Sequence, residues 1–119
     1  MHAKTIYKIV TEILWSEAIT NGVFNGSPVD LADGFIHFST RDQVRETAAK
    51  HFAGQSGLLV VAIDVDRLPD ALKWEPSRGG DLFPHLYAPL PASAASWVAP
   101  LSLGADGLHV WPARLQDHP

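Results

Sequence analysis

The feature that most constrains the fold is an unbroken apolar run, LLVVAIDV, at residues 58–65. A strand with one face in water alternates apolar and polar residues, so a run this continuous predicts a central strand covered on both faces. The rest of a sheet is expected around it. The 119 residues, 46% hydrophobic and 18% charged, are ordinary for a globular protein and fit one domain, residues 1–119, with one core.

The N-terminal part of the chain predicts a strand, a helix and a loop, in that order. Residues 5–10, TIYKIV, are rich in β-branched and aromatic residues and indicate the strand. Residues 11–22 begin with a Thr-Glu pair typical of a helix start and end in Asn-Gly, which stops a helix. Residues 23–33 contain Asn-Gly and Ser-Pro pairs, so we expect a loop that Val29 and Leu31 attach to the core.

A strand that turns directly into a helix is predicted next. GFIHFST, residues 34–40, alternates so that Phe35 and His37 point to one side and their apolar neighbours to the other. Thr40 and the glutamine three residues later match a capping box at a helix start. The apolar stripe of this helix continues to about Phe52.

The second half of the chain predicts short strands and no further long helix. The four strand candidates are residues 72–75, 84–88, 96–101 and 108–111. In PHLYA, residues 84–88, the alternation places His85 and Tyr87 on one face. The glycine-rich segment SRGGD before it is expected to be a loop. The elements together predict the α+β class.

Composition excludes several classes of protein. The chain has no cysteine, which removes disulfides, thiolate catalysis and cysteine-ligated metal centres. The formal net charge of −4 argues against an extended nucleic-acid-binding surface, although a small anion needs only two or three positive groups. The sequence lacks the pattern of a signal peptide and any apolar run long enough to span a bilayer, so we expect a soluble, cytoplasmic protein without a membrane partner.

Two histidines mark the candidate site. His37 and His85 each lie within a predicted strand with an apolar neighbour on the opposite face, so both rings can enter one cleft. Imidazole suits proton transfer, phosphate contact and metal ligation, which makes these two residues the catalytic candidates. The ligand-binding candidates are Lys8, Ser39, Thr40, Trp74, Glu75, Arg78 and Tyr87.

The ligand-binding candidates have separate expected roles. Ser39 and Thr40 precede a helix whose free amides favour an anion, and Lys8 and Arg78 would add positive charge. The aromatic candidates offer flat faces for a ring, although such residues are as common in plain core packing. The serine and threonine are also ordinary helix caps, so a structural role for them stays open.

Two alternatives to a ligand-binding cleft remain. His37, His85 and Glu75 supply ligand types that zinc or iron accepts, but no HxH or HExxH spacing enforces a metal site, and none is predicted. The second alternative is a non-catalytic protein-interaction module in which both histidines are structural. The sequence does not decide the oligomeric state.

Several motifs occur in an order that resembles a known bacterial family. These motifs are IYKIV, DLADGFIHFST, LLVVAID, LKWEPSRGGDLFPHLY and LGADGLHVWP. Over nearly the whole chain they are similar to the family catalogued as domain of unknown function 952. One departure is Ala88, where members usually have glycine after the tyrosine. The resemblance implies an ADP-ribosyltransferase-like fold, a small mixed sheet with two main helices.

The resemblance also implies a ligand. Carried over by position, Lys8, His37 and His85 are the three pocket residues, and His85 stands where the related transferases have a catalytic glutamate. The expected function is therefore binding of, or action on, a small anionic or nucleotide-like molecule related to NAD or ADP-ribose. NAD is the first cofactor to consider.

Overall fold

The structure of the protein is a computed structural model, and it describes residues 3–116 apart from the side chain of Arg78. The fold is α+β. The helices are α1 (Glu12–Asn21), α2 (Pro28–Asp33) and α3 (Val44–His51). The strands are β1 (Thr5–Thr11), β2 (Val23–Phe24), β3 (Ile36–His37), β4 (Leu58–Asp64), β5 (Leu72–Pro76), β6 (Leu82–Leu86), β7 (Leu90–Pro91), β8 (Ala95–Leu103) and β9 (His109–Val110). No helix within the described range is long and apolar enough to cross a membrane.

The predicted central strand is confirmed as β4. It lies between β1 and β8 in the four-stranded sheet of order β1-β4-β8-β9. Its side chains alternate between two hydrophobic clusters, with Val61 and Ile63 in one and Val60 and Ala62 in the other. Both faces are therefore covered, which explains why the apolar run shows no polar alternation.

Helix α1 begins and ends where the sequence predicts. The Thr11 hydroxyl accepts a hydrogen bond from the Leu14 N–H at 3.2 Å, which caps the first turn. The helix ends at Gly22, whose φ of 82° lies in the left-handed region that glycine adopts without steric cost. Trp15 and Ala18 are buried, so the helix packs one side on the core.

The prediction of a small mixed sheet is wrong as regards the strand directions. All described pairings are antiparallel, and they form three sheets, of which β3-β6-β5 and β2-β7 are the smaller two. The two longest helices, α1 and α3, agree with the prediction. A third, α2, replaces part of the expected loop.

The prediction of a loop at residues 23–33 is also wrong. This segment contains β2 and then α2, which starts with a capping box between Ser27 and Asp30 and has proline in its first turn. Val29 and Leu31 do not attach the segment to the core, because they are 56% and 65% exposed. The residue of α2 that is buried is the carboxylate Asp30.

Helix α3 begins later than predicted, and this changes the surroundings of Thr40. The helix starts at Val44, and residues 41–43 form a turn. The Gln43 side chain accepts from the Thr40 N–H at 3.0 Å, which is half of the expected capping box. Thr40 therefore lies before the helix rather than at its first turn, and its N–H is already bonded.

An isolated bridge joins β1 to the residues that follow β3, and the sheets separate next to it. Tyr7 and Ser39 exchange two backbone hydrogen bonds of 2.8 and 2.9 Å. A continued antiparallel ladder would place Ile9 opposite His37. Instead, the His37 N–H donates to Asp30 Oδ1 at 3.0 Å, so a side chain takes the place of the strand carbonyl. The two strands diverge here and leave a cleft between them.

Candidate functional site

The candidate site is a cleft of about 720 Å³ at the place where β1 and β3 diverge. Its walls come from β1, from α2 and the residue before it, from the end of α3 and from β6. The volume lies in the range of about 300–1,000 Å³ that is usual for small-molecule sites. His37 and His85 both line it, together with Lys8 and Ser39.

Lys8, Asp30 and His37 form one polar network on a wall of the cleft. The Lys8 ammonium lies 2.9 Å from Asp30 Oδ2 and 3.0 Å from Oδ1. His37 Nδ1 lies 2.7 Å from Oδ1. The backbone N–H and the hydroxyl of Ser27 both donate to Oδ2 at 2.8 Å. Asp30, 2% exposed, thus has hydrogen-bond donors for both oxygens.

The charges of this network follow from its contacts. Burial alone would raise the pKa of Asp30, but the hydrogen bond from His37, the charge of Lys8 and the N–H groups of Ser27 and His37 hold that pKa well below its usual range. Burial lowers the pKa of Lys8, and the Asp30 charge partly opposes this. An ionised Asp30 can only accept, so His37 Nδ1 carries the proton in their bond.

The second ring nitrogen of His37 also faces a carboxylate. Asp33 Oδ2 lies 3.0 Å from Nε2, and the Asp33 side chain is 48% exposed at the end of α2. His37 is therefore held from both sides, by the buried Asp30 and the exposed Asp33. The imidazole is fixed in place, with an acidic group between Nε2 and the solvent side.

His85 belongs to a different network, which extends across β5 and β6. Glu75 Oε1 accepts from His85 Nδ1 at 2.9 Å and from the Tyr87 hydroxyl at 2.7 Å. These two hydrogen bonds, Tyr87 first, lower the pKa of Glu75, and the same contact raises the pKa of Tyr87. Glu75 is therefore an ionised acceptor, and the proton in its bond to His85 belongs to Nδ1.

Aromatic contacts join the two networks. The rings of His37 and His85, register partners on β3 and β6, have centroids 5.4 Å apart at an angle of 70°. Phe35 stacks on His85 at 4.2 Å and 26°, and it also lies 4.6 Å from the His37 ring and 5.1 Å from that of Tyr87. The predicted common face of Phe35 and His37 is thus confirmed, and the phenyl ring restricts the planes of both imidazoles.

The ligand-binding candidates divide into two groups. Lys8 and Ser39 line the cleft, and the Ser39 hydroxyl bonds to that of Thr47 at 2.8 Å. The candidates outside the described cleft wall are Thr40, Trp74, Glu75 and Tyr87. Trp74 packs against the core, and Glu75, which also lies on β5, bonds to the cleft-lining His85. The side chain of Arg78 lies outside the described residues.

Sequence reasoning missed three residues that shape the site, Asp30, Asp33 and Phe35. A signal for Asp30 was present, because Ser-Pro-Val-Asp is a helix start with an acid at its third position. The alternation of residues 34–40 predicts the face of Phe35 but no role for it. Nothing in the local sequence links Asp30 to Lys8, which lies 22 residues away.

No three histidine, aspartate or glutamate side chains within residues 3–116 are grouped as a metal site. His85 and Glu75, two of the three residues whose types would suit zinc or iron, bond to each other. Asp30, the carboxylate at His37 Nδ1, bonds to Lys8 as well. The acids and histidines of the site are thus arranged as hydrogen-bonded pairs.

Comparison with known proteins identifies the family. The family model described as "Protein of unknown function (DUF952)" matches residues 9–98, which include both histidines and the Asp30 and Glu75 carboxylates. The chain belongs to the DUF952 family. Among curated proteins, none matches it.

Solved structures of one bacterial protein share the fold of this DUF952 chain. The crystal structure of protein CC0527 from Caulobacter crescentus is 50% identical and covers 93% of this chain and 97% of its own, with a TM-score of 0.87. A double mutant of that protein matches with 48% identity, the same coverage and the same TM-score. Its solution NMR structure is 51% identical over 89% of this chain and 91% of its own, with a TM-score of 0.78.

Proposed function

We propose that the cleft binds a small anionic or nucleotide-like ligand, with NAD and ADP-ribose as the first compounds to test. The observation that carries this proposal is the meeting of His37 and His85 on one wall of a ligand-sized cleft. Each ring is oriented through Nδ1 by its own carboxylate. Side chains held in this way are prearranged for contact with a ligand.

The other groups at the cleft suit the same ligand class. Lys8 supplies a buried positive charge, and Ser39 supplies a hydroxyl. Ile9 adds main-chain groups. The N–H and C=O of Tyr7 bond to Ser39, on the side of β1 opposite to β4. Ile9 is two residues further along β1, so its N–H and C=O point to the same side, where the cleft lies. Phe38, Phe52 and Phe83 make part of the wall apolar, which favours a ring in the ligand.

The ADP-ribosyltransferase-like fold implied by the family resemblance is part of this proposal. Two features support it. Lys8 on the first strand, His37 before a helix and His85 on a later strand share one cleft, as a site carried over by position requires. His85 stands where those transferases have glutamate, and Glu75 brings a carboxylate to within 2.9 Å of its ring.

Calorimetry tests the proposal with NAD, ADP-ribose and a 2′-phosphorylated dinucleotide. We expect at least one compound to bind the wild type and to lose about tenfold or more in affinity in His37→Ala and in His85→Ala, because His85→Ala removes a prearranged contact and His37→Ala removes the ring that shapes the same wall. Lys50→Ala, on the exposed side of α3, is the matched control and should bind normally.

Absence of binding by all three compounds would remove the proposal. Circular dichroism of each variant separates loss of the fold from loss of the site. A fall in thermal stability of both histidine variants, with no ligand bound by any form, favours instead the interaction module with structural histidines.

A further inference from the structure

The two histidines of the cleft differ in what their outer ring nitrogen contacts. His37 Nε2 lies 3.0 Å from Asp33, so neither of its nitrogens is available without moving a carboxylate. Among the described residues, which leave out the side chain of Arg78, His85 Nε2 has no hydrogen-bond partner, although the His85 side chain is only 7% exposed and lines the cleft. A buried polar atom without a partner on the wall of a cleft is available to a ligand.

We propose that His85 is the proton-transferring residue of the cleft and that Glu75 is the residue that positions it. The inference rests on the proposed function, because a proton donor has to enter the same cleft. It goes further by assigning distinct roles to two histidines that the sequence cannot tell apart. His37, with Lys8 and Asp30 behind it, contributes charge and shape.

The strand register fixes the geometry of the pair. Glu75 on β5 is opposite Phe83 on β6, so its side chain reaches diagonally to His85, two residues along β6. Tyr87, two residues further, donates to the same oxygen and restrains the carboxylate from the other side. Phe35 stacks on the imidazole and restricts the ring plane. The position, the plane and the tautomer of His85 are thus set before a ligand enters.

The proton transfer is balanced within these groups. A hydroxyl of the ligand, or a water molecule beside it, gives its proton to Nε2: the O–H bond breaks, an N–H bond forms, and the oxygen keeps the electron pair. The imidazole becomes an imidazolium with protons on both nitrogens. The ionised Glu75 next to Nδ1–H stabilises that positive charge, as a carboxylate does beside a histidine base. The reverse transfer returns the proton to a leaving oxygen.

The tautomer of His85 in the free protein provides a first test. Nitrogen-15 NMR of histidine-labelled wild type should show His85 with the proton on Nδ1 and a bare Nε2. In Glu75→Ala the acceptor is gone, so the proton should move to Nε2 in most molecules. Glu46→Gln, a change in an exposed ion pair on α3, should leave the His85 signals unchanged. A wild-type His85 that carries its neutral-state proton on Nε2 would overturn the assignment.

Reactivity provides a second test that does not depend on the identity of the ligand. Diethyl pyrocarbonate acylates unprotonated imidazole nitrogens, and mass spectrometry assigns the modified residue. We expect His85 to be modified in the wild type, about tenfold more slowly in Glu75→Gln, which keeps the size of the side chain but removes its charge, and only slightly more slowly in Tyr87→Phe. Equal rates in wild type and Glu75→Gln, or no modification of His85, would contradict the proposal.

Both measurements use the unliganded protein, so their outcome is separate from that of the ligand titrations. Binding without the predicted tautomer would keep the proposed function and remove the role of His85. The predicted tautomer and reactivity without binding of any nucleotide would keep a reactive histidine and remove the proposed ligand class.

Discussion

The two carboxylate–histidine pairs of the cleft are neighbours on the same small sheet but have opposite surroundings. Asp30 is 1% exposed at its side chain, faces the Lys8 ammonium and accepts the backbone N–H of His37 where a strand carbonyl would otherwise stand. Glu75 is 35% exposed and accepts from two side chains, those of His85 and Tyr87. The first pair maintains the opening between the sheets, and the second orients a ring within it.

This difference predicts how each pair responds to mutation. A buried charge that loses its partner is costly, because the remaining ion cannot be solvated, whereas a part-exposed carboxylate can be replaced by water. We therefore expect Asp30 to dominate stability and Glu75 to dominate function.

Asp30→Asn should cause the largest loss. It leaves the Lys8 ammonium buried without a counter-charge, which typically costs about 3–5 kcal/mol of unfolding free energy. Urea denaturation followed by circular dichroism measures this, with Glu46→Gln as the control for loss of an exposed carboxylate. A loss below about 1 kcal/mol would show that the Lys8–Asp30 pair is not a structural element.

The stability contributed by Asp30 should depend on pH in a defined direction. The pKa of Asp30 is lowered in the folded state, so its ionised form stabilises the fold at pH values above the unfolded pKa of about 3.9, and this contribution is lost as the pH falls further. The gap in unfolding free energy between wild type and Asp30→Asn should therefore narrow below about pH 4. A gap that stays constant or widens on acidification would be inconsistent with a lowered pKa.

Glu75→Gln should separate function from stability. The side chain is partly exposed and its neutral isostere still accepts hydrogen bonds, so the melting temperature should stay close to that of the wild type. Ligand affinity or turnover should fall, because the charge beside His85 is lost. A large drop in melting temperature without a functional change would reverse the roles assigned to the two pairs.

Asp33→Asn should give the smallest change, and it should raise the affinity for an anionic ligand instead of lowering it. Replacing the carboxylate 3.0 Å from His37 Nε2 by a neutral amide removes a negative charge from the cleft, so an anionic ligand should bind roughly twofold to fivefold more tightly. Calorimetry with ADP-ribose at low and high salt tests this. Weaker binding of the anion in Asp33→Asn would mean that Asp33 holds the ligand instead of competing with it.

Much of the sheet and helix framework could be predicted from sequence, since those signals are local. The apolar run of β4, the Thr11 cap of α1 and the alternation around His37 each depend on residues close together in the chain. The alternation also placed His37 and His85 on faces from which they meet. Periodicity and caps act over a few residues, and a single sequence contains them in full.

The polar part of the site could not be predicted in the same way. The Lys8–Asp30 pair joins strand β1 to helix α2, a segment whose Asn-Gly and Ser-Pro pairs predict a loop. The capping-box pattern at Thr40 predicts an earlier start for α3 than the structure has, although Gln43 does accept from the Thr40 N–H. Whether a histidine nitrogen faces a carboxylate or an open cleft depends on tertiary contacts. The distinction between His37 and His85 therefore required the structure.

The most direct test of a ligand-binding cleft between β1 and β3 is a titration of ADP-ribose followed by amide chemical shifts of the labelled protein. The largest shifts should map to Ile9, His37 and Ser39, and His85→Ala should need about tenfold or more ligand to reach the same shifts. Shifts confined to residues outside the cleft wall, or no shifts at millimolar ligand, would contradict a ligand-binding cleft at this place.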